Sequence, residues 1–257
     1  MEFTFYKYQG TGNDFVIIDN REEFFPKKNT GLVAKICDRR FGVGADGLLL
    51  LEKHPSADFK MVYYNSDGNL SSMCGNGGRC ISHFAKYLGI ISEEVTFEAV
   101  DGMHEATVKN DWVSLKMNNV ENVNISEEYI FLNTGSPHHV EMVSNLQDFD
   151  VFTCGRNIRN KIYGNEGANV NFVEQDDAAI FSVRTYERGV ENETLSCGTG
   201  VTAVAIAMFE TGRTTENKVL LKTPGGQLQV RFDKIGNGYK NVYLEGPATQ
   251  VFKGIWK

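Results

Sequence analysis

Cys197-Gly198-Thr199-Gly200-Val201-Thr202-Ala203-Val204-Ala205-Ile206-Ala207-Met208-Phe209 is the stretch on which the fold turns. From Val201 onward it is apolar almost all round, and a helix without a polar face is buried on every side. The strand-like runs on either side must then wrap it. A second stretch opens in the same way, at Cys74-Gly75-Asn76-Gly77. In both stretches a closing glycine, Gly89 or Gly212, lies 15 residues after the cysteine. Each is preceded by a strand-like run ending in Tyr and a polar residue, Tyr64-Asn65 in one case and Tyr186-Glu187 in the other. Two matched cysteines on two matched helix starts predict a repeated architecture and a pseudo-symmetric site.

Working outward, the pattern divides the chain into similar halves. The first reads as strands near 3–9 and 15–19, a helix near 32–39, strands near 48–52 and 58–64, the helix after Cys74, then strands near 95–99, 105–109 and 112–117. The second reads as strands near 129–133 and 139–143, a helix near 150–158, strands near 169–173 and 180–186, the helix after Cys197, then strands near 218–222, 227–232 and 239–245. Glu105-Ala106-Thr107-Val108-Lys109 and Gln227-Leu228-Gln229-Val230-Arg231 show the alternation of half-exposed strands. The expected fold is mixed α/β (α+β), with a central helix wrapped by strands in each half and both helix N-termini facing a common cleft. The expected division is 1–118, joined by 247–257, and 119–246.

The composition is that of an ordinary globular protein: 257 residues, 41% hydrophobic and 23% charged, which suffices for a sizeable core. Asp and Glu (33) outnumber Lys and Arg (26), for a net charge of −7 without a basic cluster, which argues against nucleic-acid or anionic-membrane partners. The first residues lack the basic start and apolar core of a signal peptide, and no apolar run approaches a membrane span. Five cysteines, an odd number in a long chain, do not form a disulfide scaffold and fit a reducing cytoplasm.

A cysteine at a helix N-terminus meets unpaired N–H groups and a partial positive charge, which favour the thiolate. The same N–H groups can bind a carboxylate and stabilise charge that develops on it. The bland reading, two small buried residues at helix starts, suits one cysteine better than a matched pair. Cys37, Cys80 and Cys154 lack this context and read as structural. Cys74, Cys80 and His83 match no compact zinc spacing, so no metal is expected. Gly42-Val43-Gly44-Ala45-Asp46-Gly47 formally matches the dinucleotide fingerprint, but a helix precedes it and a strand follows, the reverse of the required order. Asn13, Asn65 and Asn169 read either as turn or strand-end residues or as substrate contacts. Glu187 and Arg188 read either as a surface ion pair or as part of the site. His138, in Ser136-Pro137-His138-His139, reads either as a packed or surface residue or as an imidazole that tunes a thiol.

Taken together, these motifs resemble the diaminopimelate epimerase family over essentially the whole length. The matching stretches are Gly12-Asn13-Asp14-Phe15, Gly42 to Gly47, Asn65-Ser66-Asp67-Gly68, Met73 to Cys80, Asn169-Val170-Asn171-Phe172, and Tyr186-Glu187-Arg188-Gly189 through Cys197-Gly198-Thr199-Gly200. The resemblance implies two pseudo-symmetric halves, each a curled, mostly antiparallel sheet around a central helix. It implies a cofactor-independent epimerase of lysine and peptidoglycan precursor synthesis, acting on a small diamino dicarboxylate, with no metal. Cys74 and Cys197 would be the two bases. Asn13, Asn65, Gly75, Asn76, Asn169, Glu187, Arg188, Gly198 and Thr199 would bind the substrate, with His138 and Glu187 tuning the thiols. A homodimer is implied too, with Phe252 standing where many members have a dimer-contact Tyr. The chain departs from common members at Ser136, often Asn, at Gly47, sometimes Gln, and by one extra residue between Arg188 and Cys197.

The expected chemistry is a two-base inversion, in which one thiolate removes the α-proton and the other thiol returns one to the opposite face. Two rivals are a proline or hydroxyproline racemase, which also uses paired thiols, and a thiol redox switch or binding protein relying on a Cys74–Cys197 disulfide.

Overall fold

The computed structural model describes residues 2–257; Met1, the first residue of the expected N-terminal half, lies outside them. The chain divides into two units. Unit 1 comprises the residues up to Leu115 together with Gly246–Lys257, and unit 2 comprises Lys116–Glu245. The first run of elements is β1 (Phe3–Gly10), β2 (Asn13–Asp19), α1 (Thr30–Cys37), β3 (Gly47–Glu52), β4 (Phe59–Asn65), α2 (Gly75–Tyr87), β5 (Glu94–Ala99), β6 (Gly102–Lys109) and β7 (Trp112–Lys116). The second is β8 (Val123–Ile125), β9 (Ile130–Asn133), β10 (Pro137–Met142), α3 (Val151–Lys161), β11 (Asn169–Asp177), β12 (Ile180–Glu187), β13 (Asn192–Thr194), α4 (Gly198–Glu210), β14 (Lys218–Thr223), β15 (Gly226–Ile235) and β16 (Gly238–Pro247). β17 (Thr249–Trp256) closes the chain within unit 1.

The two units share one pairing scheme. In unit 1 the order is β17-β1-β2-β3-β4-β5-β6-β7, antiparallel except at β2–β3 and β4–β5. In unit 2 it is β8-β9-β10-β11-β12-β14-β15-β16, antiparallel except at β10–β11 and β12–β14. The parallel pairs fall at the same two steps. A parallel pair needs a crossover: α1 and α3 lie in those from β2 to β3 and from β10 to β11, and α2 and α4 in those from β4 to β5 and from β12 to β14. The helices α2 and α4 each begin in the connection that follows the carboxyl end of a strand, where α/β sheets commonly bind ligands.

In unit 2, α4 is buried from Gly198 to Met208 apart from Thr199, among residues of β9, β10, β11, β12, β14 and β15. Burial of Val201, Val204, Ile206 and Met208 stabilises by roughly 1.5–3 kcal/mol each. The propensity cost of β-branched residues in a helix is only about half a kcal/mol each. Packing, rather than intrinsic helix preference, holds α4. In unit 1, α2 packs against β1, β2, β3, β4, β6 and β17, with Phe84 against the rings of Tyr6 and Tyr8. The shorter α1 and α3 belong to separate clusters, α1 with Phe3, Phe5 and Leu50, α3 with Val170, Phe172 and Tyr186.

The structure adds β8, β13 and the β17 pairing to the elements read from the sequence. It also shifts α1 to Thr30–Cys37, capped by the Asn29 side chain, which accepts from the Leu32 N–H at 3.0 Å. Asp38 has extended backbone and ends the helix. Among the described residues no helix is long and apolar enough to cross a membrane.

Candidate active site

Cys74 and Cys197 occupy the same position in their units: each is the N-cap of its helix, with near-identical extended backbone (φ −117°, ψ 121° and φ −115°, ψ 112°). Both cysteines therefore stand at a helix end that carries partial positive charge, but only the Cys74 side chain makes a capping hydrogen bond. Their immediate neighbours differ.

In unit 1 the Cys74 sulfur accepts from the Gly77 N–H at 3.5 Å and lies 3.6 Å from Asn13 Oδ1. Asn76 Nδ2 donates to the same Asn13 oxygen at 3.3 Å. Asn13 is the first residue of β2 and follows the two-residue turn Thr11-Gly12, whose φ values of 52° and 83° are both positive, as a type I′ hairpin requires. Its amide end is fixed from the other side, where Nδ2 donates to Asp46 at 2.7 Å. Arg39 in turn bridges Asp46 and Asp14, and Lys7 donates to Asp14. Burial works against ionisation of Asp14, but Arg39 and Lys7 outweigh it and bring its carboxyl down to about 2. Cys74, Asn76 and Asn13 thus come together on one hydrogen-bonded chain. Asn65 ends β4 opposite Gly47, and the Ser66 N–H donates to the Asp46 carbonyl at 3.1 Å, which ties the end of β4 to the same cluster.

In unit 2 the Cys197 sulfur lies 3.5 Å from the Thr199 hydroxyl. The Thr199 carbonyl accepts from the Thr134 hydroxyl at 2.8 Å. A Cβ added at Gly200 would stand 2.5 Å from Asn171 Oδ1 and 3.3 Å from the Cys197 sulfur, so only glycine fits there. Asn169 Oδ1 accepts from the Arg188 N–H at 2.9 Å, joining the start of β11 to the end of β12. Arg188 donates to the Glu166 carbonyl, and Glu187 accepts from the Thr194 hydroxyl.

His138 is fully buried on β10, and burial, followed by the Arg188 charge, pulls its imidazole down to about 3. It is therefore neutral at physiological pH. Its tautomer follows from Asn171. Asn171 Nδ2 donates to the His139 carbonyl at 2.9 Å, and Oδ1 accepts from the Thr185 hydroxyl at 3.0 Å, which fixes the amide orientation. The same nitrogen lies 3.2 Å from His138 Nδ1, which must then accept, leaving the proton on Nε2.

Sequence reasoning passed over Asp14, Asp46, Asn171 and Thr185 as individual residues. Asn171 had a signal, since it lies two residues after Asn169 on one face of β11. The others had none at sequence level. Cys37 and Cys80 are buried, and burial pushes both thiols up to about 12, in keeping with a structural reading. His83 lies 3.3 Å from both the Tyr8 hydroxyl and Asp111.

The fold is shared with solved structures of other proteins. A PhzF-family phenazine biosynthesis protein from Bacillus anthracis superposes with a TM-score of 0.77 over 100% of this chain and 99% of its own, at 14% identity. A hydroxyproline epimerase from Agrobacterium vitis, solved with trans-4-hydroxy-L-proline, gives 0.71 over 99% and 92%, at 15% identity. Those likenesses establish the fold. At sequence level, the profile of the diaminopimelate epimerase family matches residues 5–123 and 130–251. A diaminopimelate epimerase of Flavobacterium psychrophilum is 60% identical over 96% of this chain and 98% of its own length. One from Chlorobaculum tepidum is 42% identical over 95% and 98%. The chain belongs to the diaminopimelate epimerase family.

Proposed function

We propose that the protein interconverts L,L- and meso-diaminopimelate by a two-base reaction without a cofactor, with Cys74 and Cys197 as the bases. The observation that carries this reading is the matched pair of cysteine N-caps on equivalent crossover helices, in a chain of this family. One cysteine, as thiolate, takes the α-proton. The C–H electron pair moves into the adjacent carboxylate, and an S–H bond forms. The other cysteine, as thiol, gives its proton to the opposite face of the same carbon. The backbone amides of Gly75, Asn76, Gly198 and Thr199 at the two helix starts supply donors for the charge that builds on that carboxylate. Asn13, Asn65, Asn169, Glu187 and Arg188 hold the rest of the substrate, and a site built for those polar groups rejects analogues that lack them. His138, neutral with its proton on Nε2, is a hydrogen-bond donor rather than a base.

The reading extends to a cytoplasmic enzyme of lysine and peptidoglycan precursor synthesis that works as a homodimer. Support for a second copy comes from β17, which pairs with β1 and leaves Val251, Phe252 and Ile255 exposed. Size-exclusion chromatography with light scattering tests it.

The decisive experiment for activity is proton NMR of pure L,L-diaminopimelate in heavy water, with reductant and no added cofactor. The meso isomer, with deuterium at the inverted carbon, is expected. A well-folded sample that exchanges proline or hydroxyproline instead overturns the substrate. One that exchanges none of the three overturns the epimerase reading.

A further inference from the structure

Among the described residues Arg79 is the largest fully buried side chain, at 0% exposure, and it lies on α2 five residues after Cys74. Its Nη2 donates to the Thr11 hydroxyl at 3.2 Å. Its Nε and Nη1 are buried without a hydrogen-bond partner among the described residues. A Cβ added at Gly10 would stand 3.2 Å from Nη2, 3.3 Å from the Cys80 sulfur and 3.4 Å from the Asn76 carbonyl. The guanidinium is therefore packed under the Thr11-Gly12 turn, which leads directly into Asn13, and beside the first turn of α2.

A buried cation needs a compensating anion, because desolvation otherwise costs several kcal/mol (of order, for an ion taken out of water). The carboxylates and other titratable groups on elements packed against α2 are engaged elsewhere. On β2, Asp14 is held by Lys7 of β1 and by Arg39. On β3, Glu52 is held by Lys27 and Asn20. On β1, Tyr8 bonds Gln250 and lies beside His83 of α2. On β4, Lys60 pairs with Glu98 of β5, while Tyr63 and Tyr64 are phenols; Tyr64 donates to the Lys27 carbonyl. On β6, His104 pairs with Asp101, and Glu105 is exposed. Lys86 of α2 donates to the Val108 carbonyl, and Lys253 of β17 is exposed. Burial pulls the guanidinium down to about 10, and the two groups whose negative charge favours its protonated form are Cys80 and Cys74. Cys80 is excluded as that anion, since burial pushes its thiol up to about 12. Cys74 remains. At the matching position of α4 stands Thr202, whose hydroxyl donates to the Gly198 carbonyl at 2.9 Å and carries no charge.

We propose that Arg79 is a positioning residue that holds Cys74 as the resting thiolate, so that the enzyme waits for substrate with Cys74 ionised and Cys197 protonated. This deepens the two-base reading and rests on it for its catalytic meaning. Cys74 has a partner for each state: the Gly77 N–H for the thiolate, and Asn13 Oδ1 for the thiol.

The test is the pH dependence of iodoacetamide alkylation at each cysteine, resolved by peptide mass spectrometry without substrate. In the wild type Cys74 is expected to alkylate with a half-point at lower pH than Cys197; equal or reversed half-points overturn the proposal without any variant. Arg79→Gln keeps a donor for Thr11 but removes the charge, and Arg79→Lys keeps the charge but loses the fork. In Arg79→Gln the Cys74 half-point is expected to rise by about one pH unit or more, as for loss of a nearby opposite charge, with Cys197 unmoved. In Arg79→Lys it is expected to stay near the wild-type value. A purely structural anchor gives the reverse ranking, with Gln near wild type and Lys displaced, and overturns the proposal. If Arg79→Gln does not fold, the wild-type comparison and Arg79→Lys decide. Because the readout needs no turnover, a thiol asymmetry in a protein that fails to epimerise diaminopimelate would refute the function and leave the charge assignment standing.

Discussion

Lowering the pH from 7 to 5 is expected to weaken unit 2 by about 2 kcal/mol through His138 alone. The imidazole is pulled down to about 3 in the folded protein, chiefly by burial. In the unfolded chain it returns to about 6.5. Between these values the unfolded chain binds a proton that the folded chain does not, so stability falls as the pH falls. The contribution is fully present above about 6.5 and is lost progressively toward 3, at about 1.36 kcal/mol per pH unit. From 6.5 to 5 that gives about 2 kcal/mol. The assay is urea unfolding at pH 7 and pH 5 for the wild type and for His138→Gln, which removes the titrating group. Circular dichroism reports both units. The wild type is expected to lose more stability by dichroism than His138→Gln. Parallel losses in the two proteins, or an NMR titration of His138 near its ordinary value, would refute the assignment of a buried neutral imidazole held by Asn171.

Cys74→Ala and Cys197→Ala are each expected to abolish epimerisation with circular dichroism unchanged; normal turnover by either would refute the two-base scheme. Gly200→Ala forces a Cβ to 2.5 Å from Asn171 Oδ1 and is expected to destabilise by about 1–3 kcal/mol and to lower kcat. The matched Gly77→Ala meets the flexible end of Met61 at 3.3 Å and stands in ordinary contact with Cys74 Cβ and Leu49 Cδ1 at 3.6 Å, and is expected to leave the thermal midpoint unchanged or raised, since alanine favours the helix by up to about 1 kcal/mol. Asn171→Ala leaves the His139 carbonyl and His138 Nδ1 without their donor in a dry site, so a loss of about 1–3 kcal/mol is expected for each group left unsatisfied. Urea unfolding measures that loss, and nitrogen-15 NMR of the ring is expected to report a mixture of tautomers in place of the Nε2–H form. Arg39→Met removes one of the two cations that hold Asp14 down, leaving Lys7, and removes the ion pair that steadies Asp46, the partner of Asn13. It is expected to raise KM more than it lowers kcat, as steady-state kinetics would show.

The elements that face two ways were hard to read, and those that face one way were not. α4 declares itself because thirteen residues carry almost no polarity, and such a helix has only a buried destination. β6 and β15 alternate and so reveal both strand and inner face. β8 and β13 are three residues each, too short to show a period of two. β17 shows exposed Val251, Phe252 and Ile255 interleaved with charge, and its antiparallel pairing with β1 links residues more than 200 apart in sequence, which no local pattern encodes. The cysteine N-caps were legible because glycine spacing and helix patterning coincide. The polar groups behind them were not. Asp14, Asp46, Asn171 and Thr185 act through neighbours that the topology brings from other strands. Arg79 is a further case: a charged residue inside a helix reads as solvent-facing, and only its complete burial under the Thr11 turn marks it as part of the site's electrostatics.

The divergence between the repeats has a chemical logic. A two-base inversion needs one thiolate and one thiol at the same moment. Two thiols in identical surroundings, at a pH equal to their common pKa, would occupy such a mixed state about half the time, and the mixed state of the required sense about a quarter of the time. Splitting their affinities for the proton makes one mixed state dominant. The backbone cannot make that split, because both helix starts have the same conformation and the same dipole. It has to come from side chains. Unit 1 carries a buried guanidinium at a position where unit 2 carries Thr202, and unit 2 carries a neutral imidazole locked by Asn171. In the proposed two-base reaction each turnover ends with the two protonation states exchanged, so a proton must pass back before the next substrate of the same configuration. With Arg79 favouring the Cys74 thiolate as proposed, that return runs downhill, and the proposed reaction accounts for the difference between the repeats.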